Sequence, residues 1–128
     1  TMTERKLVYI ASPYAGDVQE NILAAQNACR YAMAQGAVPI AVHLMYPQFL
    51  DDGSPEDREA GLQMGIRVLK ACDELWLCGD RISAGMQREM DAAVQIGIPI
   101  RRINSQELAG CLAMEPGRGF PGMRMGGC

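Results

Sequence analysis

The sequence predicts an α/β fold. Four short apolar runs alternate with longer segments whose apolar residues recur at helical spacing. Glycine, proline or capping residues separate most of these segments. Because strands that alternate with helices form right-handed βαβ crossovers, the strands should be parallel. We therefore expect a single doubly wound parallel sheet of about four or five strands, flavodoxin-like or Rossmann-like, with helices on both faces.

The predicted strands are the four apolar runs. The first reads KLVYIA and ends at Ser12-Pro13. Its apolar residues are continuous rather than alternating, as in strands that are buried on both faces of a sheet. The four predicted strands cover residues 6–11, 38–42, 74–78 and 98–103.

The first predicted helix begins at Asp17. Asp17 followed by Glu20 resembles a capping box, and Gly36 stands where a helix commonly ends. Apolar residues recur between these two points at the spacing of one helix face. They are Ile22, Ala25, Cys29, Ala32 and Met33.

Two further long helices follow, and each has a serine at its start. Ser54 precedes a proline, which is a strong helix start, and that helix should run to about Cys72. Ser83 should cap the next helix, which runs to Gly97. A last short helix is predicted over 105–114. The expected buried faces are Leu62, Ile66 and Leu69 in the former, and Met86, Met90, Ala93 and Val94 in the latter.

Length, composition and charge define the broad class of protein. The chain has 128 residues, 48 % of them apolar and 21 % charged, with a formal net charge of −3. We expect one domain over 1–114 and a mobile tail over 115–128, which is rich in Gly and Met and has no period. The acidic balance argues against binding of a nucleic acid polymer. It is compatible with a small phosphorylated ligand, because one helix N-terminus can hold a phosphate.

Cysteine usage and hydropathy predict a cytoplasmic protein. The five cysteines are odd in number, contain no CxxC pair and match no zinc spacing, so we expect reduced thiols and no metal. No apolar run approaches the roughly 18 residues of a membrane-spanning helix. The polar start lacks the apolar region of a signal peptide. The cysteines are Cys29, Cys72, Cys78, Cys111 and Cys128.

Ligand binding is expected at the carboxyl ends of the strands. In open parallel sheets ligands bind there, near the point where strand order reverses. The loops at that edge are 12–17, 43–54 and 79–85. They provide as candidate binding residues Ser12, Pro13, Tyr14, Gly16, Asp17 and His43.

The start of the third helix is the most informative segment. Ser83 and Gly85 stand at a helix N-terminus directly after a strand, with Met86 beside them. Free amides and the positive end of the helix dipole would face a ligand there, and a phosphate would fit. The alternative is a serine cap with a glycine for close packing.

Glu89 is a carboxylate on an apolar helix face. At helical spacing it shares a side with Met86 and Ala93, and its Cβ tilts toward the helix N-terminus and the ligand edge. A carboxylate in that position is unusual unless it is paired or functional. The alternative is a boundary residue that reaches solvent or pairs with Arg88 or Arg81.

Other polar residues allow two interpretations each. Tyr9 in the first strand is a buried aromatic residue whose hydroxyl needs a partner. Asp80 follows the third strand and is either a catalytic or ribose-binding acid or a turn residue. His43, the only histidine, either binds a ligand or caps a loop, and Asp51-Asp52 suits a surface turn better than a cation site.

Taken together, these segments resemble the nucleoside 2-deoxyribosyltransferase superfamily. Two segments show the resemblance. The first is the opening KLVYIASPYAGD. The second, SAGMQREMDAAVQIGIP, is similar to the superfamily's S-x-G-x-x-x-E helix followed by G-x-P. More narrowly, the chain resembles a small branch of unknown function with DELW-x-x-GDRIS and FLDD patterns. The resemblance covers nearly all of residues 6–103. Unlike many transferases, the chain has Arg88 before the glutamate and Met90-Asp91 after it.

The resemblance implies catalytic roles. Glu89 matches the glutamate nucleophile, Tyr9 the strand-one tyrosine that contacts it, and Ser83 and Gly85 the phosphate-binding turn. Asp80 lies near an acid that assists the leaving base. The implied activity is that of a nucleotide or nucleoside N-glycosidase or deoxyribosyltransferase acting through a covalent glutamyl-sugar, without cofactor or metal. The alternative is a non-catalytic nucleotide sensor. The implied partners are a small nucleoside or nucleotide and further copies of the chain, in a homodimer or larger homo-oligomer.

Overall fold

A computed structural model describes residues 1–13 and 18–113, with the side chains of these residues up to 110. Tyr14, Gly16 and Asp17, together with the tail predicted over 115–128, lie outside the described residues. The helix cap predicted at Asp17 and the mobility predicted for the tail therefore stay predictions. No helix in the described ranges is both long enough and apolar enough to cross a membrane.

The four strands form one sheet in which every pairing is parallel. Their order across the sheet is β2-β1-β3-β4, so β1 and β3 are central. This arrangement confirms the predicted doubly wound α/β fold, with four strands. The strands are β1 (Leu7–Ala11), β2 (Val38–Ile40), β3 (Glu74–Cys78) and β4 (Ile100–Ile103).

In the described ranges, four α-helices alternate with the strands, in the predicted sequence order. Three short 3-10 turns, at Met2–Glu4, Val42–Leu44 and Tyr46–Gln48, supplement them. Ser54 and Ser83 cap their helices as predicted, each accepting a hydrogen bond from the backbone three residues later. The helices are α1 (Val18–Ala34), α2 (Pro55–Leu69), α3 (Ala84–Ile96) and α4 (Ser105–Ala113).

Two strands, β2 and β4, are each two residues shorter than predicted. β2 ends at Ile40 because the chain turns into the 3-10 segment Val42–Leu44. β4 starts at Ile100 because the amide of Ile98 still donates to the carbonyl of Ala93 at the end of α3. Gly97 makes this ending possible, since its φ of 90° lies in the left-handed region that favours glycine.

The sheet separates two apolar layers. Alternate strand residues point to opposite faces, so Val8 and Ile10 pack with α1 and α4, while Tyr9 and Ala11 pack with α2 and α3. The site described below lies on the face of α2 and α3. Helices therefore cover both faces, as predicted.

Two residues of the predicted buried faces are exposed. Ile22 is 40 % exposed and Val94 is 69 % exposed. Val94 follows the buried Ala93 by one residue and is therefore rotated by roughly 100° around the helix axis. Ile22 and Ala28 are three residues before and three residues after Ala25, so they lie to either side of it around the helix axis. Helix α1 buries the side that carries Ala28, which leaves Ile22 exposed.

Candidate active site

The strand order places a crevice between β1 and β3. From β1 the chain crosses through α1 to β2 on one side, and from β3 it crosses through α3 to β4 on the other. Strand order reverses at this point, and ligands of open parallel sheets bind at the carboxyl ends of such strands. Tyr9 on β1 and Glu89 on α3 meet on the α2–α3 face of this crevice.

Tyr9 and Glu89 form a buried hydrogen-bonded pair. Tyr9 has no exposed surface and Glu89 is 1 % exposed. The hydroxyl of Tyr9 donates to Oε2 of Glu89. Oε1 of Glu89 is buried and accepts no hydrogen bond from any described residue. Within the described part of the chain, one oxygen of the carboxylate thus has a donor and the other has none.

Glu89 reaches this position because α3 buries a single face. The three buried residues of the helix are Met86, Glu89 and Ala93, at the spacing of one side of a helix. The alternative that Glu89 reaches solvent or pairs with a neighbouring arginine does not hold. Arg88 instead donates to both carboxylate oxygens of Glu59, at 2.9 and 3.1 Å, and links α3 to α2 at the surface.

Burial controls the protonation of the pair. It raises the pKa of Glu89 to about 7, although the hydrogen bond from Tyr9 acts in the opposite direction. Burial, reinforced by the charge on Glu89, raises the pKa of Tyr9 far above its ordinary value. Tyr9 therefore remains a hydrogen-bond donor throughout the range in which Glu89 titrates.

His43 approaches the same carboxylate from the segment after β2. Its Nε2 lies 3.9 Å from Oε2 of Glu89. Burial lowers the pKa of His43, so the imidazole is mostly neutral at pH 7 and carries no charge toward Glu89. Oε2 therefore has two polar side chains beside it.

A cavity of about 330 Å³ opens in front of the Tyr9–Glu89 pair. This volume suits a small organic ligand. One wall is the first turn of α3, a second is α2, and a third is the segment between β2 and α2. Besides Tyr9, His43 and Glu89, the lining includes Val42, Tyr46, Pro47, Leu50, Asp51, Asp52, Asp57, Arg58, Gly61, Leu62, Ser83, Ala84, Gly85 and Met86.

The first turn of α3 presents free amides to this cavity. The hydroxyl of Ser83 accepts from the amide of Met86 at 3.2 Å. The amides of Ala84 and Gly85 have no acceptor among the described residues. Of the described residues, only Ser83 would contact a Cβ at Gly85, through its Oγ at 4.0 Å, so the glycine is not needed for packing against them.

Asp80 does not line the cavity. Its two carboxylate oxygens accept hydrogen bonds from the amide and the hydroxyl of Ser105, at the start of α4. These bonds lower the pKa of Asp80 below its ordinary value. Asp80 thus connects the end of β3 to α4, which packs on the opposite face of the sheet.

Two other predicted binding residues are also outside the cavity lining. Ser12 is buried, and Pro13 lies against Gly79, where an added Cβ would be 3.7 Å from Cδ of the proline.

Asp51 and Asp52 do line the cavity, and Asp51 also forms a turn by accepting the amide of Gly53. The described residues contain no group of three or more side chains suited to holding a metal ion.

Sequence reasoning missed the wall formed by α2. Arg58, Gly61 and Gly65 lie on the side of that helix that faces the site. Two glycines four residues apart inside a helix were the available signal, because glycine is unfavourable in helix interiors. Their role is visible only once α2 is placed against β1.

Residues 6–103 match a protein family described as Domain of unknown function (DUF7768). The chain belongs to this family. The matched range extends from the residue before β1 to the end of β4 and contains every residue that lines the cavity. The DUF7768 match agrees with the small branch that the sequence resembles.

One solved structure places this DUF7768 chain in a wider context. It is a 2-deoxyribosyltransferase from the psychrotolerant bacterium Bacillus psychrosaccharolyticus, with a TM-score of 0.62 and 20 % identity. The match covers 77 % of this chain and 72 % of that chain. The two proteins share a fold, which confirms the predicted resemblance at that level. No curated protein matches the sequence.

Proposed function

We propose that this chain is an enzyme that cleaves the N-glycosidic bond of a nucleoside or nucleotide, with Glu89 as the nucleophile. The observation that carries the proposal is the state of the Glu89 carboxylate. It is buried on the cavity wall, with Oε2 bound by the Tyr9 hydroxyl and Oε1 without a donor among the described residues. The fold shared with a 2-deoxyribosyltransferase supports this reaction class.

A buried carboxylate of this kind is costly for a protein that uses it only for structure. Removing a carboxylate from water without full hydrogen bonding destabilises the fold. An apolar residue on the same face of α3 would avoid that cost. A nucleophilic carboxylate, in contrast, needs this incomplete hydrogen bonding, because the protein orients one oxygen and leaves the other for the substrate.

The reaction proceeds in two displacements. Oε1 of Glu89 attacks the anomeric carbon, the bond from carbon to the base nitrogen breaks, and its electron pair leaves with the base as the base takes up a proton. The product is a glycosyl ester of Glu89. Water then attacks the same carbon, loses its proton and restores the carboxylate, whereas a second base in place of water gives transfer. The oxocarbenium-like transition state is stabilised by the carboxylate.

Proton donation to the leaving base is assigned to the cavity wall rather than to Asp80. Both oxygens of Asp80 accept from Ser105, and Asp80 does not line the cavity. Asp51, Asp52 and Asp57 do line it. We propose that one of these carboxyl groups assists the departing base.

A 5′-phosphate fits the first turn of α3. The amides of Ala84 and Gly85, which have no acceptor among the described residues, and the positive helix end favour an anion at this point. Gly85 leaves open space where a side chain would stand. Arg58 lines the same cavity and supplies a positive charge. We therefore propose a nucleoside monophosphate as the preferred substrate.

A second candidate function is a non-catalytic nucleotide sensor with the same pocket. The observation in its favour is the pKa of about 7 at Glu89, because a protonated carboxyl group can donate a hydrogen bond to a ligand instead of attacking it. Such a module would bind its ligand without releasing the base.

The test is incubation with nucleosides and their 5′-monophosphates, ribo and deoxy, followed by chromatography for free base. We expect base release by the unaltered chain, none by Glu89→Gln, and a sugar-sized mass increase on Glu89 in intact-protein mass spectrometry after acid quenching. Glu107→Gln, on α4 and outside the cavity, is the matched control. Saturable binding without base release would establish the sensor instead, and base release that persists in Glu89→Gln would refute the proposed nucleophile.

A further inference from the structure

Gly65 lies in the interior of α2 and is buried. Glycine is among the least favourable residues in a helix interior. Its backbone has no positive φ that would call for glycine, unlike Gly36, Gly79 and Gly97. The remaining reason for a glycine at this position is that a larger side chain would have no room.

The Tyr9 hydroxyl occupies the space in which a Gly65 side chain would lie. A Cβ built on Gly65 would lie 2.8 Å from Oη of Tyr9, 3.6 Å from Cγ2 of Val42 and 3.9 Å from Oε2 of Glu89. Real Cβ atoms essentially never lie within 3.0 Å of a heavy atom outside their own neighbourhood, so the first distance is a clash and the other two are ordinary contacts. A methyl group at this position would conflict with one atom, the oxygen that donates to Glu89.

Tyr9 cannot easily move away from such a methyl group. Its backbone is held in a central strand, where it pairs with Ile40 of β2 and with Leu75 of β3. Its side chain has no exposed surface. A methyl group at Gly65 would therefore force the hydroxyl out of its present position against Oε2 of Glu89.

Gly61, one turn earlier in α2, has a different neighbour. A Cβ there would lie 3.0 Å from Cδ1 of Leu50, the end of a flexible side chain. Gly61 therefore affects the shape of the cavity wall, whereas Gly65 affects the Tyr9–Glu89 hydrogen bond.

We propose that Gly65 is a positioning residue of the active site: the absence of a side chain keeps the Tyr9 hydroxyl against Oε2 of Glu89 and leaves Oε1 for the substrate. This role rests on the proposed function of Glu89. The steric relation between Gly65 and Tyr9 can be tested without any substrate, so failure of one proposal is distinguishable from failure of the other.

The experiment follows the titration of the Glu89 carboxyl carbon by NMR in the full chain labelled at glutamate, with Glu89→Gln to assign the signal. Since the Tyr9 hydrogen bond lowers the pKa of Glu89, its loss should raise the titration midpoint. We expect a higher midpoint in Gly65→Ala and in Tyr9→Phe. Gly110→Ala should titrate like the unaltered chain, because no atom of the described residues lies within 4 Å of a Cβ built on this α4 glycine.

A double variant separates positioning from simple desolvation by the added methyl group. If Gly65 acts through the Tyr9 hydroxyl, Gly65→Ala should change the midpoint little once Tyr9 is already phenylalanine. An equal upward shift in both backgrounds would overturn the proposal, as would a folded Gly65→Ala chain that titrates like the unaltered one.

Stability provides a second measurement if Gly65→Ala alone does not fold. Tyr9→Phe removes the clashing oxygen, so the chain with both substitutions should melt at a higher temperature than Gly65→Ala alone. A double variant that is no more stable than Gly65→Ala would show that the hydroxyl is not the obstacle and would overturn the proposal.

Discussion

The hydroxyl of Tyr9 donates a hydrogen bond to Oε2 of Glu89, which is 80 residues away in the sequence. The two residues come from β1 and α3, and both side chains are buried. The contact gives Oε2 of Glu89 a hydrogen-bond donor, whereas Oε1 has none among the described residues. It also links the first strand of the sheet to the helix that follows the third.

Replacing Glu89 by glutamine should change how stability depends on pH. Burial raises the pKa of Glu89 to about 7 from the model-peptide value of 4.5, so folding favours the protonated form. The stability that this group contributes is present below pH 4.5 and is lost as pH rises through 7. The loss should be about 3 kcal/mol by pH 8, and Glu89→Gln should not show it.

Urea unfolding at pH 4.5, 6 and 8 would measure this difference between the two chains. Glu107→Gln serves as the control for a general loss of one carboxylate. Parallel stability curves for Glu89→Gln and the unaltered chain would contradict the raised pKa.

Replacing Tyr9 by phenylalanine should slow base release and move its pH profile. If Glu89 is the nucleophile, it must be ionised to react, so the rate of the unaltered chain should rise with pH through about 7. Without the hydroxyl the pKa of Glu89 rises further, and the profile should shift to higher pH. Loss of the hydrogen bond from the Tyr9 hydroxyl should destabilise the ionised Glu89 carboxylate by about 2 kcal/mol. Initial rates between pH 5 and 9 would measure the shift, and an unchanged midpoint would argue against coupling of the two groups.

Replacing Asp80 by asparagine should affect stability rather than chemistry. Asp80 accepts two hydrogen bonds from Ser105, and these bonds lower its pKa. The stability contributed by the ionised form is therefore present above the ordinary pKa near 4 and is lost as pH falls below it. We expect a lower melting temperature at pH 7, with base release unchanged at a temperature where both chains are folded. A large loss of turnover in the folded variant would restore Asp80 as the general acid.

Replacing Arg58 by glutamine should distinguish nucleotides from nucleosides. If Arg58 binds the 5′-phosphate, the KM for monophosphates should rise about tenfold, as expected for one charge-assisted hydrogen bond. The KM for nucleosides should not change. Steady-state kinetics would check this, with Arg67→Gln as the control, because Arg67 is exposed on α2 and outside the cavity lining. Equal changes for both substrate types would place the phosphate elsewhere.

The expected assembly into a homodimer or larger homo-oligomer stays a prediction. Sedimentation of the purified chain over a range of concentrations would test it. A single monomeric species at all concentrations would contradict the expectation.

The elements of the fold could be predicted because their signals are local. An apolar run such as Glu74–Cys78 and a cap such as Ser83 act within a few residues, and both were located correctly. Errors occurred where tertiary packing decides the outcome. Val94 has the apolarity of a core residue, but only the placement of α3 against the sheet determines which side is buried.

In the candidate site, too, local spacing predicted some features, whereas others depended on tertiary packing. The sequence by itself determined that Glu89 lies on the apolar face of its helix, because helical spacing fixes its relation to Met86 and Ala93. Asp80 shows the limit of such reasoning, since its position after β3 suits an acid in the crevice, whereas its partner is Ser105, 25 residues later.

What the sequence determined about this protein is therefore its alternating α/β pattern, its helix caps and the unusual carboxylate in α3, since each depends on the spacing of neighbouring residues. The resemblance implied the contact between Tyr9 and Glu89, but only the tertiary structure decided that Gly65 makes room for that contact and that Asp80 anchors α4. These contacts depend on the strand order β2-β1-β3-β4 and on which face each helix covers. Both follow from the packing of the whole chain, because burial and hydrogen bonding are satisfied across elements that are far apart in sequence.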